Sequence, residues 1–451
     1  MRMFSLPEGA RFSNKVLIAF LMPVLFEQLM LAGLTMADTF MVSSLGETAV
    51  AGVALVNRID NFAKQFFVSL AQGGSVVLSQ YIGARDEDKA EISLKSNVRI
   101  VVLIGLAVML FMVVFKEQTL HLLFGGAEAN VLAISREYFT ITALSYPFVA
   151  LYYAGSATFR AMGESKIPFM ASIAMMGINL LLKYIFIFVI KIGVTGAAYS
   201  TLLAMGIVGF GLMLMLKGKK NRVRMVGFFK PDWDKKIVKS ILTVSVPNGI
   251  EQGMFQLGAL AIAGLVSGLG QASIAADSLA RSITPLLYSI GAAFNAVMMM
   301  VVGQCMGAGN SDEAEMYAKH IIKLDYVLTF CNAILFMVLL KPLISVFNVS
   351  PEAQHLAFWI MVLYTSGTIF MYPLSFALAA GLRGSGDTKF VMVIAVASMF
   401  LFRIGAAYIF VHLFHWGVIG TWVAMVSDWF IRSTLFMIRF KKGKWKLNKV
   451  I

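Results

Sequence analysis

The chain has 451 residues, of which 59% are hydrophobic and 14% are charged, and its mean hydropathy is +0.79. A soluble globular domain is about half apolar and about a quarter charged, so this composition excludes an ordinary soluble protein and indicates a chain that spans a membrane. The net charge of +14 does not indicate a nucleic-acid partner, because the cations lie in short breaks between apolar stretches.

Apolar stretches recur along the whole chain, and each is long enough to cross a bilayer as a helix of about 20 residues. They are too long, and alternate too little, for the strands of a β-barrel. We therefore predict an all-α integral membrane protein with about twelve transmembrane helices. The predicted spans are residues 15–44, 50–82, 93–115, 131–157, 166–190, 194–216, 239–268, 274–305, 321–346, 355–381, 388–411 and 415–439.

The basic residues are concentrated on one side of these spans. The break after the sixth span and the C-terminal tail hold many of them: Lys217, Lys219, Lys220, Arg222, Arg224, Lys230, Lys235, Lys236, Arg439, Lys441, Lys442, Lys444, Lys446 and Lys449. The breaks on the opposite side carry little beyond Lys116, Lys191 and Lys341. Because cytoplasmic loops are enriched in lysine and arginine, we expect both termini to face the cytoplasm.

The two halves of the chain resemble each other at an offset of about 224 residues. The matching pairs, in chain order, are Glu27-Gln28 with Glu251-Gln252, Leu45-Gly46 with Leu269-Gly270, Gln80-x-x-Gly83-Ala84 with Gln304-x-x-Gly307-Ala308, Arg160-x-x-Gly163-x-x-Lys166 with Arg383-x-x-Gly386-x-x-Lys389, and Gly193-Val194 with Gly417-Val418. A unit of six helices enters and leaves on the same face, so the repeats are parallel. We predict two six-helix parallel-repeat bundles: a lobe at 1–216, a basic linker at 217–238, a second lobe at 239–440 and a basic tail at 441–451. Parallel repeats are typical of transporters that bind substrate between their halves.

Several ionisable side chains fall inside the predicted spans, where they are costly and are candidates for function. In the first half these are Glu27 and Asp38 on the first span, a polar stripe on the second, and Asn179 with Lys183 one turn apart on the fifth. The stripe consists of Asn57, Asp60, Asn61 and Lys64. The second half contributes Glu251, Gln252, Gln256, Asp277, Arg281 and Arg403.

Two chemistries remain open for these groups. A carboxylate in apolar surroundings exchanges a proton readily, whereas ionised carboxylates with asparagine oxygens are hard ligands for a small cation. Asp60 with Lys64, and Asp277 with Arg281, are spaced so that they can neutralise each other on one helix. Asp38 and Glu251 have no such partner, so we treat them as unpaired carboxylates and as the main coupling candidates.

The sequence resembles the multidrug and toxic compound extrusion (MATE) family over essentially its whole length. The marks are Ala37-Asp38-Thr39 late in the first span, the paired Gln-x-x-Gly-Ala ends and the paired Arg-x-x-Gly-x-x-Lys segments. The resemblance implies an antiporter of the inner or plasma membrane that expels cationic amphipathic compounds in exchange for protons or sodium ions. It places cation coupling on Asp38, and Glu251 resembles a glutamate that some members use.

Two departures from the family pattern bear on the coupling ion. Tyr372 stands where one subclass has an acidic residue, and Lys183 stands where another has Asp or Asn four residues after an asparagine. Such a lysine can pair with Asp38 and act as an internal cation, which favours protons over sodium ions.

These arguments yield one set of assigned residues and partners. To cation coupling we assign Asp38, Glu251, Glu27, Asn57, Asn61, Asn179 and Lys183, and to substrate binding Gln252, Gln256, Tyr372 and Arg281. We expect a monomer in the lipid bilayer that transports small organic cations and has no resident cofactor, no metal site and no nucleic-acid partner.

Two functions other than an antiporter are a flippase and a membrane enzyme. The alternative is a flippase for lipid-linked oligosaccharide, which needs inward-facing cations; Lys64, Lys183, Arg281 and Arg403 are the candidates. Catalytic motifs for a membrane enzyme are missing from the sequence, so we expect no enzymatic activity.

Overall fold

The computed structural model describes residue 6 and residues 10–126, 128–228, 232–347 and 349–451, with backbone alone for residues 32–37, 39 and 40. Residues 1–5, 7–9 and 127 of the predicted first lobe, residues 229–231 of the predicted linker and residue 348 of the predicted second lobe therefore lie outside the described residues. The described part is helical and contains no β-strand. The predicted all-α class is confirmed.

Twelve long helical stretches follow one another, and each overlaps one predicted span. They are α1 (Asn14–Ser43), α2 (Glu47–Ala84), α3 (Glu87–Val114), α4 (Ala129–Leu144 and Tyr146–Ala161), α5 (Lys166–Val189), α6 (Val194–Leu216), α7 (Lys235–Ser267), α8 (Gln271–Gly307), α9 (Ser311–Ser345), α10 (Pro351–Gly384), α11 (Thr388–His412) and α12 (Gly417–Lys441). A short helix, Lys116–Phe124, lies between α3 and α4.

Nine of the described stretches are long and apolar enough to cross a membrane by themselves. The other three are α2 and α12, which carry several charged residues, and α4, which is interrupted at Ser145. Pro147 is the second residue of the second part of α4 and lacks the N–H that would continue the hydrogen-bonded ladder. The predicted span at 131–157 is therefore two consecutive helices.

Three helices contain a π-helical segment, a form often found at functional positions. The segments are Ile185–Val189 in α5, Pro373–Ala377 in α10 and Met399–Gly405 in α11. In α10 the cause is Pro373, which cannot donate to the carbonyl one turn earlier. Tyr372 precedes this segment directly, and Arg403 lies within the one in α11.

Packing contacts divide the chain into two compact units. The first unit contains Met30–Gly249 together with Ile451, and the second contains Met1–Leu29 with Ile250–Val450. In the first unit, α2 packs against α3 and α4, and α6 packs against α4 and α5. In the second unit, α8 packs against α9 and α10, and α12 packs against α10 and α11.

In the second unit, the segment before α1 is fastened to the start of α9. The backbone N–H of Arg11 donates to Glu313 at 3.1 Å. The hydroxyl of Tyr317 accepts from the backbone N–H of Phe12 at 2.6 Å and donates to its carbonyl at 2.9 Å. Such contacts anchor residues just ahead of α1 in a defined position.

The C-terminal tail is also packed against the second unit. Its Lys444–Leu447 turn is a 3₁₀-helix in which Trp445, 1% exposed, stacks on Phe440 with ring centroids 5.1 Å apart. Lys446 pairs with Asp312 at 2.7 Å and Glu315 at 2.6 Å, and these hydrogen bonds raise the pKa of Lys446. The basic residues of this segment are therefore partly engaged by α9.

In the first unit the linker is held on α3 by a second charge cluster. Asp232 accepts hydrogen bonds from Lys95 and, at 2.9 Å, from Arg99, whose guanidinium also lies over the Trp233 ring. Burial alone would raise the pKa of Asp232, but the hydrogen bonds from Lys95 and Arg99 outweigh it and lower that pKa below its ordinary value.

Candidate functional site

The first unit contains a buried ion pair between α1 and α5. The Nζ of Lys183 donates to Oδ1 of Asp38 at 2.5 Å. The lysine side chain is 3% exposed and that of Asp38 is 37% exposed, so the carboxylate is the more accessible partner. A charged lysine enclosed in a membrane helix needs a counterion, and Asp38 supplies it. The pairing of Lys183 with Asp38 that the sequence suggested is present.

Asn179 lies one turn before Lys183 and is also buried. Its Nδ2 donates to the hydroxyl of Thr201 on α6 at 3.1 Å, which fixes the amide. Its Oδ1 is buried without a hydrogen-bond partner among the described residues. A further donor or a cation would satisfy this oxygen.

A second carboxylate, Asp60 on α2, belongs to the same polar region. Tyr146 of α4 donates its hydroxyl to Asp60 at 2.8 Å, and Lys64 acts on Asp60 electrostatically. Tyr138 of α4 is within electrostatic range of both Asp60 and Asp38. Neither tyrosine was predicted from the sequence, although a polar hydroxyl within an apolar span indicates a hydrogen-bond partner nearby.

Three further coupling candidates are Asn57, Asn61 and Glu27. Asn57 and Asn61 are exposed side chains of α2, and no hydrogen bond between them and the pair occurs within the described part of the chain. Glu27 is buried but belongs to the second unit, whereas Asp38 belongs to the first.

In the second unit Glu251 is buried and has a basic partner. The prediction from the sequence that it is unpaired is therefore wrong. Arg383 donates to its Oε1 at 2.5 Å, while its Oε2 has no hydrogen-bond partner among the described residues. The partner comes from α10, at a sequence separation of 132 residues. Spacing along α7 could not reveal it. Arg383 is also the first residue of the Arg-x-x-Gly-x-x-Lys motif.

The four residues assigned to substrate binding all belong to the second unit. Gln252 and Gln256 are half-buried on α7. Tyr372 is buried and stacks on Phe376 with ring centroids 4.3 Å apart. Arg281 donates to Asp277 at 2.6 Å, so the pairing considered for these two residues is present.

An acidic and basic pair on α12 was not singled out from the sequence. Asp428 and Arg432 are fully buried, with a closest N–O distance of 3.8 Å. The guanidinium of Arg432 lies 5.4 Å from the centre of the Phe255 ring, and that of Arg403 lies 5.3 Å from it. Their four-residue spacing on an apolar helix was the available indication in the sequence.

These arrangements define a class of protein: a multi-pass helical membrane protein that buries charged pairs inside each of two units. Within the described residues, no three His, Cys, Asp or Glu side chains are grouped so as to hold a metal ion. An ion pair between two helices breaks when its acid is protonated or its base finds another anion. The buried pairs can therefore respond to a change in bound cations.

Comparison with known proteins places the chain in a family. The MatE family model matches residues 23–185 and 247–409, more than half of the chain. The chain therefore belongs to the MatE family of multidrug and toxic compound extrusion transporters. The two matched segments have equal length and begin at residues 23 and 247, which is the offset of the internal repeat.

Individual relatives agree with this assignment. The chain is 25% identical to the probable multidrug resistance protein NorM of Thermotoga maritima, covering 97% of this chain and 94% of the relative. It is 23% identical to the probable multidrug resistance protein YoeA of Bacillus subtilis, with 90% and 88% covered. A crystal structure of MATE in complex with MaL6 superposes with a TM-score of 0.88 at 21% identity, covering 95% of this chain and 97% of that one.

Proposed function

We propose that this protein is a secondary active efflux antiporter. It exports cationic amphipathic organic compounds in exchange for protons or sodium ions, through alternating access of two lobes. We further propose that it works as a monomer in the inner (plasma) membrane with both termini in the cytoplasm. The names of its relatives, which are probable multidrug resistance proteins, support the substrate class.

The observation that carries the proposal is the Asp38–Lys183 pair. Protonation of Asp38 removes the counterion of a buried lysine. The loss of that counterion raises the free energy of the conformation in which the two side chains are paired. A sodium ion on the same carboxylate would compete with Lys183 for it. Either ion therefore favours a different arrangement of α1 and α5, and this is the coupling that an antiporter needs.

The substrate assignment to Gln252, Gln256, Tyr372 and Arg281 stays part of the proposal. The aromatic rings of Tyr372 and Phe376 offer a flat surface suited to an apolar cation. Arg281 acts there by holding Asp277, because the two side chains are already paired.

The flippase alternative loses support from the same geometry. Lys183 and Arg281, two of its four candidate cations, are hydrogen-bonded to carboxylates. A binding site for an anionic pyrophosphate needs cations that are not already neutralised.

The test is dye efflux from proteoliposomes that contain the purified protein, with proton and sodium gradients imposed separately. We expect a gradient of one of these ions to drive ethidium out of the proteoliposomes, and Asp38→Asn to abolish this flux. Failure of both gradients to drive flux by the wild-type protein would contradict the proposal.

A further inference from the structure

Asp325 is a carboxylate that no part of the proposed mechanism uses. It lies on α9 and its side chain is completely enclosed, with 0% of its surface exposed. Its Oδ1 accepts a hydrogen bond from the hydroxyl of Thr329, one turn further along the same helix, at 3.0 Å. Its Oδ2 is buried and has no hydrogen-bond partner among the described residues.

Two other buried carboxylates of the second unit each have a basic partner. Glu251 pairs with Arg383 and Asp277 with Arg281. In the described part of the chain, no ion pair includes Asp325. An enclosed carboxylate without a cation is highly unfavourable in its ionised form.

The surroundings of Asp325 contain no free base to neutralise it. Helix α9 packs against α8 and α10. The ionisable side chains on these two helices are Asp277, Arg281, Tyr288, Cys305, Glu352, His355, Tyr364, Tyr372 and Arg383. Both arginines are engaged in the ion pairs above, and His355 lies near the beginning of α10, where it accepts from Trp359.

The bases of α9 itself are also occupied or turned away. Lys319 pairs with Glu315, His320 bonds Asn14, and both Lys323 and Lys341 are exposed. Two tyrosines remain within electrostatic range of Asp325: Tyr326 on α9 and Tyr372 on α10. A neutral phenol does not compensate a negative charge.

The identity of the missing partner follows from the space and the ligands available. A metal ion needs several oxygen ligands, and an organic cation needs a cavity of its own size. Among the described residues, one threonine hydroxyl is the only side-chain group hydrogen-bonded to the carboxylate. A proton requires neither further ligands nor additional space.

We propose that Asp325 is a proton-binding site of the second unit, separate from the Asp38–Lys183 pair of the first. The proton adds to a carboxylate oxygen from water when the side chain is hydrated, and returns to water when that hydration recurs. While the side chain is enclosed, the carboxyl group is neutral. The coupling of this proton to export rests on the proposed function, but the presence of the proton does not.

Infrared spectroscopy of the purified full-length protein tests the proton directly, because a protonated carboxyl group has a carbonyl stretching band that a carboxylate lacks. At neutral pH we expect the spectrum of the wild type minus that of Asp325→Asn to contain this band. The surface variant Asp88→Asn should leave the band unchanged, since an exposed carboxyl group is ionised at that pH. Equal band intensity in the wild type and Asp325→Asn would overturn the proposal.

Transport measurements test the coupling. In proteoliposomes we expect Asp325→Asn to reduce proton-driven dye efflux about tenfold or more and to flatten its pH dependence. Asp325→Glu should retain part of the flux, and Thr329→Val should retain most of it because the carboxyl group is kept. Unchanged flux and pH profile in Asp325→Asn would refute the coupling. If the wild type transports nothing while the infrared band is present, the proposed function fails and the proton site stands.

Discussion

Lys183 on α5 donates a 2.5 Å hydrogen bond to Asp38 on α1, and the two side chains differ sharply in their access to solvent. The lysine is enclosed, whereas more than a third of the Asp38 side chain is exposed. Asp38 is therefore the more accessible member of the pair. In the proposed antiporter we therefore expect Asp38 to bind the coupling ion and Lys183 to respond.

Neutralising both members of the pair should separate stability from transport. Asp38→Asn leaves Lys183 without its counterion, and we expect a loss of about 2 kcal/mol in unfolding free energy, less than for a fully buried pair because Asp38 is part exposed. The double variant Asp38→Asn/Lys183→Met should regain most of that stability and still fail to export ethidium. Thermal unfolding of the detergent-solubilised protein and dye efflux measure the two effects. Efflux by the double variant at the wild-type rate would contradict the role of the pair.

Replacing the lysine by an acid should change the ion preference. In Lys183→Asp, the new carboxylate, Asp38 and the unpartnered Oδ1 of Asn179 offer hard oxygen ligands where an ammonium group stood. We expect a sodium gradient to stimulate efflux by this variant more than by the wild type. Lys183→Met is the matched control, since it removes the cation without adding a ligand. An identical sodium response in all three proteins would show that the lysine does not stand in for an ion.

The C-terminal turn offers a comparison between packing and surface charge. Trp445 is fully buried against Phe440, so Trp445→Ala should destabilise the protein by about 3–5 kcal/mol through lost contacts and a cavity. Lys446 pairs with Asp312, whose side chain is 89% exposed, so Lys446→Ala should cost less than about 1 kcal/mol. Both free-energy changes can be measured as shifts in the midpoint of thermal unfolding. Equal shifts would mean that the turn is not held by its tryptophan.

The attachment of the linker should weaken in acid. Because the pKa of Asp232 is lowered in the folded protein, its bonds to Lys95 and Arg99 stabilise the attachment at pH values above the ordinary carboxyl range near about 4. That contribution is lost as the pH falls through the lowered pKa. Hydrogen exchange of a peptide containing Phe228 and Asp232, corrected for intrinsic rates, should therefore be faster in acid. Asp232→Asn should give the faster exchange already at neutral pH, and slow exchange in that variant would count against the mechanism.

Sequence spacing identified individual buried groups better than it identified their partners. Asp277 and Arg281 could be paired from the sequence because both lie on α8, one turn apart. Glu251 could not be paired with Arg383, because the two residues are 132 positions apart and meet only when α7 packs near α10. The same reason concealed the contact between Asp60 and Tyr146, which lie 86 positions apart.

For Asp325, the sequence did not reveal that the side chain is buried. In the sequence it stands two residues after Lys323, and nothing in the pattern tells which of them faces the interior. The structure turns Lys323 outward and encloses Asp325. Only the packing of α9 against α8 and α10 converts an ordinary aspartate into a group without a counterion.

The sequence by itself determined the membrane class, the helical spans and the internal repeat. Hydrophobic length and helical periodicity are local properties, since each helix satisfies its own backbone hydrogen bonds within the bilayer. The tertiary structure decided which ionisable groups are neutralised, by which helix, and which residues of α1 and α7 pack with each unit. Those outcomes depend on contacts between distant segments, and the energy of a buried charge is set by whatever lies beside it.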